Sequence, residues 1–376
     1  MTNVTPERMS DAEAAMRSYL QRIATGPELS KDISLEETRH GMSLILEGKA
    51  DPVQAGIFLI ALRMKRESDD EVRGMLEAIR DVTLRVEAPV DEVLDMADPY
   101  DGYNRTLPAA PFLPAVLAAC GVPAFSHGVT SMGPKFGATH GQVLHAAGVA
   151  VDQTPENVAA RLGDAAIGWG YVDQSLFCPK LYGLTDLRRL MVKRPAITTT
   201  EVLAGAIKGR KATHLVTGFV HKPYPRVYAL LARHAGYDSA LLVRGTEGGI
   251  IPSLRQTGKI WHYRDKGTEQ EVDVKPEGLG ISQELRAVPL PEHLPGYRKK
   301  NDSMAGSVDA SAIAAEAARA GIEALEGKPG ATFDSLVYGA ALCLWHLNRH
   351  PSLAKAADAV REALESGKAL KHFEGR

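Results

Sequence analysis

Several kinds of chemistry are excluded by what this chain does not contain. Cysteine is scarce: Cys120, Cys178 and Cys343 are the whole complement, none at metal-type spacing, and Cys120 and Cys343 lie inside apolar runs. A cysteine-bound zinc and a disulfide scaffold are therefore not expected, and the thiols read as core residues in a reducing cytoplasm. No apolar run is long enough to span a bilayer, and residues 1–30 are too polar for a signal peptide, so no membrane partner is expected. Charge of one sign is missing too. With 44 basic and 46 acidic residues the net charge is -2, which gives no global attraction to nucleic acid or to an anionic membrane. There is no Walker-type phosphate loop, no nucleophilic triad, no internal repeat and no low-complexity tract. His140 and His145 are five apart, off one helical face, which argues against a metal pair. What remains is 44% hydrophobic content over 376 residues, enough to bury a substantial core in one large or two modest domains.

The chain is organised around residues 95–148. An apolar run with an acidic end, 93–95, breaks into a turn at Asp98-Pro99-Tyr100-Asp101-Gly102, and a helix-length segment follows to Gly121. A second apolar piece, 123–125, leads into His127-Gly128, and a loop spaced by Gly133, Gly137 and Gly141 opens another helix. Two strand ends thus present loops on one side of a sheet, where an α/β protein binds its ligand.

In chain order, residues 1–33 read as an N-terminal extension of helix and linker. Capping-box spacing at Ser34 and Glu37 and at Ser68 and Glu71, with Asp51-Pro52 between them, predicts three short helices over 34–88. From Pro89 the pattern becomes α/β. Buried strands are predicted at 167–171, 213–216 and 240–243, with a helix at 225–234 between the last two. Residues 179–206 are polar and helix-compatible, and antiparallel additions to the sheet are expected around Ile250, at 260–263 and at 272–274. A polar loop over 291–306 then leads to two alanine-rich helices. The alternation predicts a mostly parallel central sheet flanked by helices, forming an α/β domain over 89–376.

At several places the wording resembles the anthranilate phosphoribosyltransferases and the related pyrimidine nucleoside phosphorylases, the glycosyl transferase family 3. The segment SLEETRHGMSLILEGKADPVQAGIFLIALRMKRES is similar to that family's helical-domain signature, and LESGKALKHFE to its C-terminus. The resemblance implies a small helical domain, joined in space by about 179–206, a larger α/β domain, a ligand cleft between them, and a homodimer formed through the helical domains. It also implies pentosyl or phosphoribosyl transfer, although the family's chemical motifs are altered here. Its GTGGDG diphosphate turn aligns with residues 97–102, where only Asp101-Gly102 survives, Pro99 has no N–H to give and Asp98 would repel a diphosphate. Its Asn, Ser and Thr phosphate contacts become Leu107, Ala109 and Ala110. Its KHGN motif becomes Ser126-His127-Gly128-Val129. Its paired Asp-Glu, which holds magnesium, falls at Ile250-Ile251, and isoleucines cannot serve a hard cation. No metal or other cofactor is therefore expected, and ordinary magnesium-dependent transfer to anthranilate is not the reaction the residues favour. The match is nearest to a divergent branch that shares His-Gly-Val, Phe-Cys-Pro and Gly-Thr-Glu-Gly sequences, here at 127–129, 177–179 and 245–248. Members of that branch are thought to have lost the transferase reaction and to bind nucleic acid.

Two readings follow. In the first, the cleft binds a small anionic ribosyl-type ligand through Asp101, Gly102, Arg105, His127, Gly128, Lys135 and Arg188. Arg105, Lys135 and Arg188 substitute there for the lost metal and phosphate loop, with Arg188 matching the family's arginine toward the acceptor's carboxylate. The bland alternatives are a turn Asp-Gly, an exposed loop arginine and a histidine satisfied by backbone. In the second, the chain binds single-stranded nucleic acid or another polyanion. Residues 187–236 hold ten basic side chains, including Arg189, Lys193, Arg194, Lys208, Arg210, Lys211, Lys222 and Arg226, against one acid, Glu201. Their bland reading is a set of solvated faces and ion-pair partners.

Overall fold

In the computed structural model of the chain, residues 10–26, 28–294 and 309–375 are described. Most of the expected polar loop 291–306 lies outside them, as do residues 1–9. The chain begins with helices α1 (Asp11–Ile23), α2 (Leu35–Leu46), α3 (Pro52–Lys65) and α4 (Asp69–Asp81). Capping boxes start α1 at Ser10, α2 at Ser34 and α4 at Ser68, while the Asp51 carboxylate caps α3 ahead of Pro52. Each such cap is worth about 1 kcal/mol. Met16, Tyr19 and Ile23 of α1 are buried in the same cluster as Met42, Phe58 and Ile79 of the other three helices. The segment read as an N-terminal extension thus contributes a packed helix to the bundle.

Seven strands form one sheet: β2 (Glu92–Ala97), β3 (Ala124–Gly128), β4 (Trp169–Asp173), β6 (Ala212–Gly218), β7 (Ser239–Val243), β8 (Gly258–Tyr263) and β9 (Gln270–Val274). Two further short strands, β1 (Val86–Glu87) and β5 (Ile207–Lys208), pair in parallel beside it. The order across the sheet is β4-β3-β2-β6-β7-β8-β9, parallel from β4 to β7 and antiparallel beyond. From β2 the chain runs outward through β3 to β4, then returns to β6 and runs the other way. The switch therefore falls between β2 and β6, and their C-terminal ends open on the crevice where such sheets bind ligands.

The sheet is covered by α5 (Leu113–Ala119), α6 (His140–Ala146), α7 (Pro155–Gly163), α8 (Gln174–Phe177) and α12 (Tyr224–Ala235), while α9 (Pro179–Tyr182) follows α8, and α10 (Thr185–Met191) and α11 (Ile197–Thr200) pack against α3 and α4 of the bundle. At the C-terminus come α13 (Ala310–Leu325), α14 (Ala331–His346), α15 (Leu353–Glu365) and α16 (Lys368–Glu374). The fold is the expected one, a helical bundle joined to an α/β domain with a mostly parallel sheet. Three local expectations are corrected. The C-terminal region forms four helices, because Gly327, Asn348 and Gly367 take left-handed backbone and end each one in turn. Residues 179–206 break into short pieces, since Val192 is left-handed and Pro195 turns the preceding residue away from helix. Ile250 lies in no strand; its N–H donates to the Asp98 carboxylate, 3.1 Å away, and not to a neighbouring strand.

Candidate functional site

Three loops meet at the C-terminal mouth of β2 and β6: 98–106, 133–138 and 245–251. They approach backbone to backbone. Tyr103 and Ala138 exchange N–H···O=C bonds of 2.9 and 2.7 Å, and Gly137 N–H donates to Asp101 O at 2.9 Å. Gly137 permits this, since a Cβ there would sit 2.5 Å from Tyr103 O. Gly218, at the end of β6, plays the same part for the third loop, where a Cβ would meet Gly248 O at 2.1 Å. These close approaches line the crevice with the chain's own loops. A cavity of about 30 Å³ is left beside Leu107, Ala109, Ala110 and Ile251, space for roughly one water.

The charges at this mouth answer one another. Lys135 is buried and donates to Gly102 O at 2.5 Å, with Asp101 Oδ1 at 3.5 Å and Glu247 Oε2 at 3.6 Å from its ammonium. Asp101 also accepts from Arg194, at 3.0 Å from Nε and 2.5 Å from Nη2. The Glu247 carboxylate accepts from the N–H of Asn104 (3.2 Å), the N–H of Arg105 (3.0 Å) and the Thr106 hydroxyl (2.9 Å). Asp98, buried at the end of β2, lies 2.8 Å from His140 Nε2 and takes the Tyr103 hydroxyl as a further donor. Burial, reinforced by Asp98, holds the Tyr103 phenol well above its ordinary range, so it stays a donor.

Beneath the mouth runs a second buried network. His127 Nδ1 is 2.5 Å from the Tyr100 hydroxyl, and His127 Nε2 is 2.8 Å from Asp95 Oδ1. Asp95 Oδ2 accepts from Tyr237 O–H at 2.6 Å. Nδ1 accepts from the Tyr100 phenol, which burial keeps protonated, while Nε2 lies within ion-pair distance of Asp95 Oδ1 without an aligned hydrogen bond. Arg188 lies in the same region, 3% exposed, and grips Glu201 with two bonds of 2.6 and 2.7 Å. Its guanidinium fork is taken by a carboxylate of this chain, so it does not face open space as an acceptor-binding arginine would.

Of the residues expected at the cleft, the structure gathers Asp101, Gly102 and Lys135 at one point. It places Arg105 at the rim, its amide on Glu247 and its side chain exposed. His127 and Gly128 end β3 one layer below, buried. Sequence reasoning missed Glu247 and Asp98 as partners, as well as the Asp95–His127–Tyr100 network. The available signal was the Gly-Thr-Glu-Gly turn and an acid placed directly after an apolar strand.

Most of the basic residues expected to form a face for nucleic acid are ion-paired with acids of this chain. Arg189 pairs with Asp186, Arg194 with Asp101, Lys208 with Glu87, Lys211 with Asp91 and Arg226 with Asp69. Among the described residues only Lys193, Arg210 and Lys222 of that set form no salt bridge. Lys208, Arg210 and Lys211 stand at the N-terminal end of β6, whereas Arg194 and Arg226 lie toward its C-terminal end, roughly 20 Å away for a seven-residue strand. Most of the local excess is thus spent on internal partners at two ends of the sheet.

The donor set at the family's magnesium position does not fit the ion. Ile250 is buried and Ile251 packs against the apolar core, so neither side chain offers oxygen. The nearby Asp98 oxygens are committed to His140 and the Ile250 N–H.

Comparison with known proteins agrees with this architecture. Residues 4–83 match the glycosyl transferase family, helical bundle domain, and residues 102–292 match the glycosyl transferase family, a/b domain. The chain is 28% identical to an anthranilate phosphoribosyltransferase of Thermomicrobium roseum, over 95% of this chain and 94% of that one. It is 30% identical to an uncharacterized protein of Aquifex aeolicus, over 67% and 74%. Among solved structures, an anthranilate phosphoribosyltransferase of Saccharomyces cerevisiae in complex with PRPP and Mg superposes with a TM-score of 0.74, at 16% identity and 96% of both chains. That of Thermus thermophilus gives 0.70, at 19% identity, covering 96% of this chain and 97% of that one.

Proposed function

Because the chain belongs to the glycosyl transferase family that joins a helical bundle to an α/β domain, we propose that it binds a small anionic ribosyl-type ligand without magnesium, at the crevice between the two. The observation that carries this reading is the gathering of Lys135, Asp101, the amides of Asn104 and Arg105 and the Thr106 hydroxyl at the mouth of β2 and β6, beside a magnesium position occupied by isoleucine. Lys135 supplies charge to a phosphate or carboxylate, Arg105 adds a second cation from the rim, and the Asp101-Gly102 turn is placed for a sugar hydroxyl. His127 acts from below, through Tyr100, and Gly128 ends the strand beside it. Arg188 contributes through Glu201, as a brace and not as a contact. The division into 1–33, 34–88 with 179–206, and 89–376 is part of the proposal, and the burial of Met16 and Tyr19 favours drawing the bundle from residue 10.

The same proposal extends to a homodimer through the helical domains and to a cytoplasmic location. For the latter, burial keeps the free thiols unreactive, pushing Cys120 up to about 11 and Cys343 up to about 12. Among the described residues no helix is long and apolar enough to cross a membrane.

Since a yeast relative is described in complex with PRPP and Mg, phosphoribosyl pyrophosphate is the first ligand to test. Calorimetry should be run with it and with ribose 5-phosphate, each with and without magnesium. The expected result is binding of ribosyl anions that magnesium does not strengthen. Binding of phosphoribosyl pyrophosphate that appears only with magnesium overturns the metal-free reading, and no binding of either ligand overturns the ribosyl one.

A further inference from the structure

A cavity of about 320 Å³ lies at the outer edge of the sheet, far larger than the space left at the crevice and within the size range of small-molecule sites, about 300–1,000 Å³. Its walls come from the segment 147–153 after α6, Arg161 of α7, residues 169–171 of β4 and the end of α16. None of them belongs to the crevice loops. β4 is an edge strand, with β3 on one side and no strand on the other. Ala124 N–H donates to Gly168 O at 3.2 Å, and in this parallel register Gly170 and Val172 also turn their backbone toward β3. Trp169 and Tyr171 therefore turn theirs outward, to the cavity they line. Both residues are buried, yet among the described residues none bonds their outward N–H and C=O groups. A buried backbone group without a partner is costly, and the cavity is where a partner can stand.

Arg161 reaches the same cavity and lies over the Trp169 ring, its Cζ 5.8 Å from the centroid. It forms no salt bridge among the described residues; Asp164 attracts it only from beyond that reach, and burial lowers its pKa from the ordinary arginine value. Trp169 is fixed in place, stacked on Phe373 at 5.2 Å and donating Nε1–H to His372 O at 2.8 Å. That wall needs no ordering when a ligand arrives. We propose that this cavity binds a free apolar α-amino acid, laid against the edge of β4 as one residue of a neighbouring strand would be. In a parallel pair a single residue gives its N–H to one carbonyl and accepts at its C=O from the N–H two residues on. An amino acid carries both groups on one Cα, so its ammonium serves Trp169 O and its carboxylate accepts from Tyr171 N–H. Arg161 takes the remaining carboxylate oxygen, and Ala147, Val149 and Ala150 supply apolar wall for the side chain. Glu374 lines the cavity as well, which disfavours a bare anion and suits a zwitterion. The volume suits one such molecule and not a peptide of strand length.

The inference is independent of the proposed function. Leucine, phenylalanine, N-acetylleucine and isopentylamine, which is leucine without its carboxylate, would be titrated by calorimetry into the wild type, Arg161→Gln and Ala150→Trp. The last places an indole in the cavity from an exposed position of its wall. The expected result is binding of leucine or phenylalanine by the wild type, weakened at least tenfold in Arg161→Gln and lost in Ala150→Trp, with no binding of isopentylamine. Hydrogen exchange supplies a second readout, since a bound amino acid should slow exchange of the Tyr171 amide. Absence of heat with both amino acids at millimolar concentration leaves the cavity to water and overturns the proposal. Binding that both substitutions leave intact overturns the location, and equal affinity for isopentylamine overturns the role of Arg161. If N-acetylleucine binds as tightly as leucine, the free amino acid gives way to the C-terminus of a peptide chain, and the proposal fails. If a variant does not fold, exchange of the wild-type Tyr171 amide decides, and a rate that neither amino acid changes overturns the site.

Discussion

Removing the Arg188 guanidinium would leave the Glu201 carboxylate, 1% exposed, without its two-pronged partner. An uncompensated buried charge typically costs about 3 to 5 kcal/mol, whereas replacing both members with apolar groups is often close to neutral. Arg188→Ala should therefore lower stability to urea by that amount, and Arg188→Met with Glu201→Leu should recover most of it. A double variant no more stable than the single one would show that the pair does more than satisfy itself. At this scale the sequence was legible where a residue's chemistry needs no partner. Two isoleucines at 250–251 cannot hold magnesium whatever surrounds them, and Pro99 has no N–H to give in any fold. It was illegible where meaning depends on a partner, as at Lys135, whose carboxylates Asp101 and Glu247 come from two different loops.

Helix starts were readable because a cap is a local bond. Ser34 with Glu37 and Ser68 with Glu71 close within one turn, and the structure has both. What a helix does with its other faces is a different matter. Val53, Ile57 and Met64 share one face of α3 and are 68, 40 and 75% exposed, and Leu190 on the adjoining α10 is 69% exposed. An apolar patch of this kind on a helical bundle marks an interaction surface, and it supports the proposed homodimer. Light scattering after size exclusion should give a dimer for the wild type and a monomer for Val53→Asp with Met64→Asp. A dimer that survives both charges places the contact elsewhere.

At the scale of the whole molecule, three histidines meet at the end of the sheet opposite the crevice. The Ser239 hydroxyl, at the start of β7, lies 2.8 Å from both His214 Nδ1 on β6 and His346 Nε2 at the end of α14, and the His262 ring meets His346 edge to face. Burial pulls His346 well below its usual range, helped by His262, Arg264 and His214. It also lowers His214, against the pull of Glu92 and Asp238, and His262 beside Arg264. The folded protein therefore binds fewer protons there than the unfolded chain, whose histidines take theirs below about pH 6.5. Stability should be fully present above that pH and decline as the pH falls from it toward the lowered values of the folded state. Melting temperatures measured across this range should show the decline, and His346→Gln should flatten it. An equal slope in the variant would assign the decline to other groups.

The linear order of residues was enough to establish the class of fold, the capped helices and most strands of the sheet. Each of these depends on neighbours in the chain or on the chemistry of one side chain. Only the folded chain decided which charges are free. Packing brings Glu201 to Arg188, Asp69 to Arg226 and Glu247 to Lys135 across long separations in sequence, and a cation's availability to a ligand depends on whether such a carboxylate has already reached it.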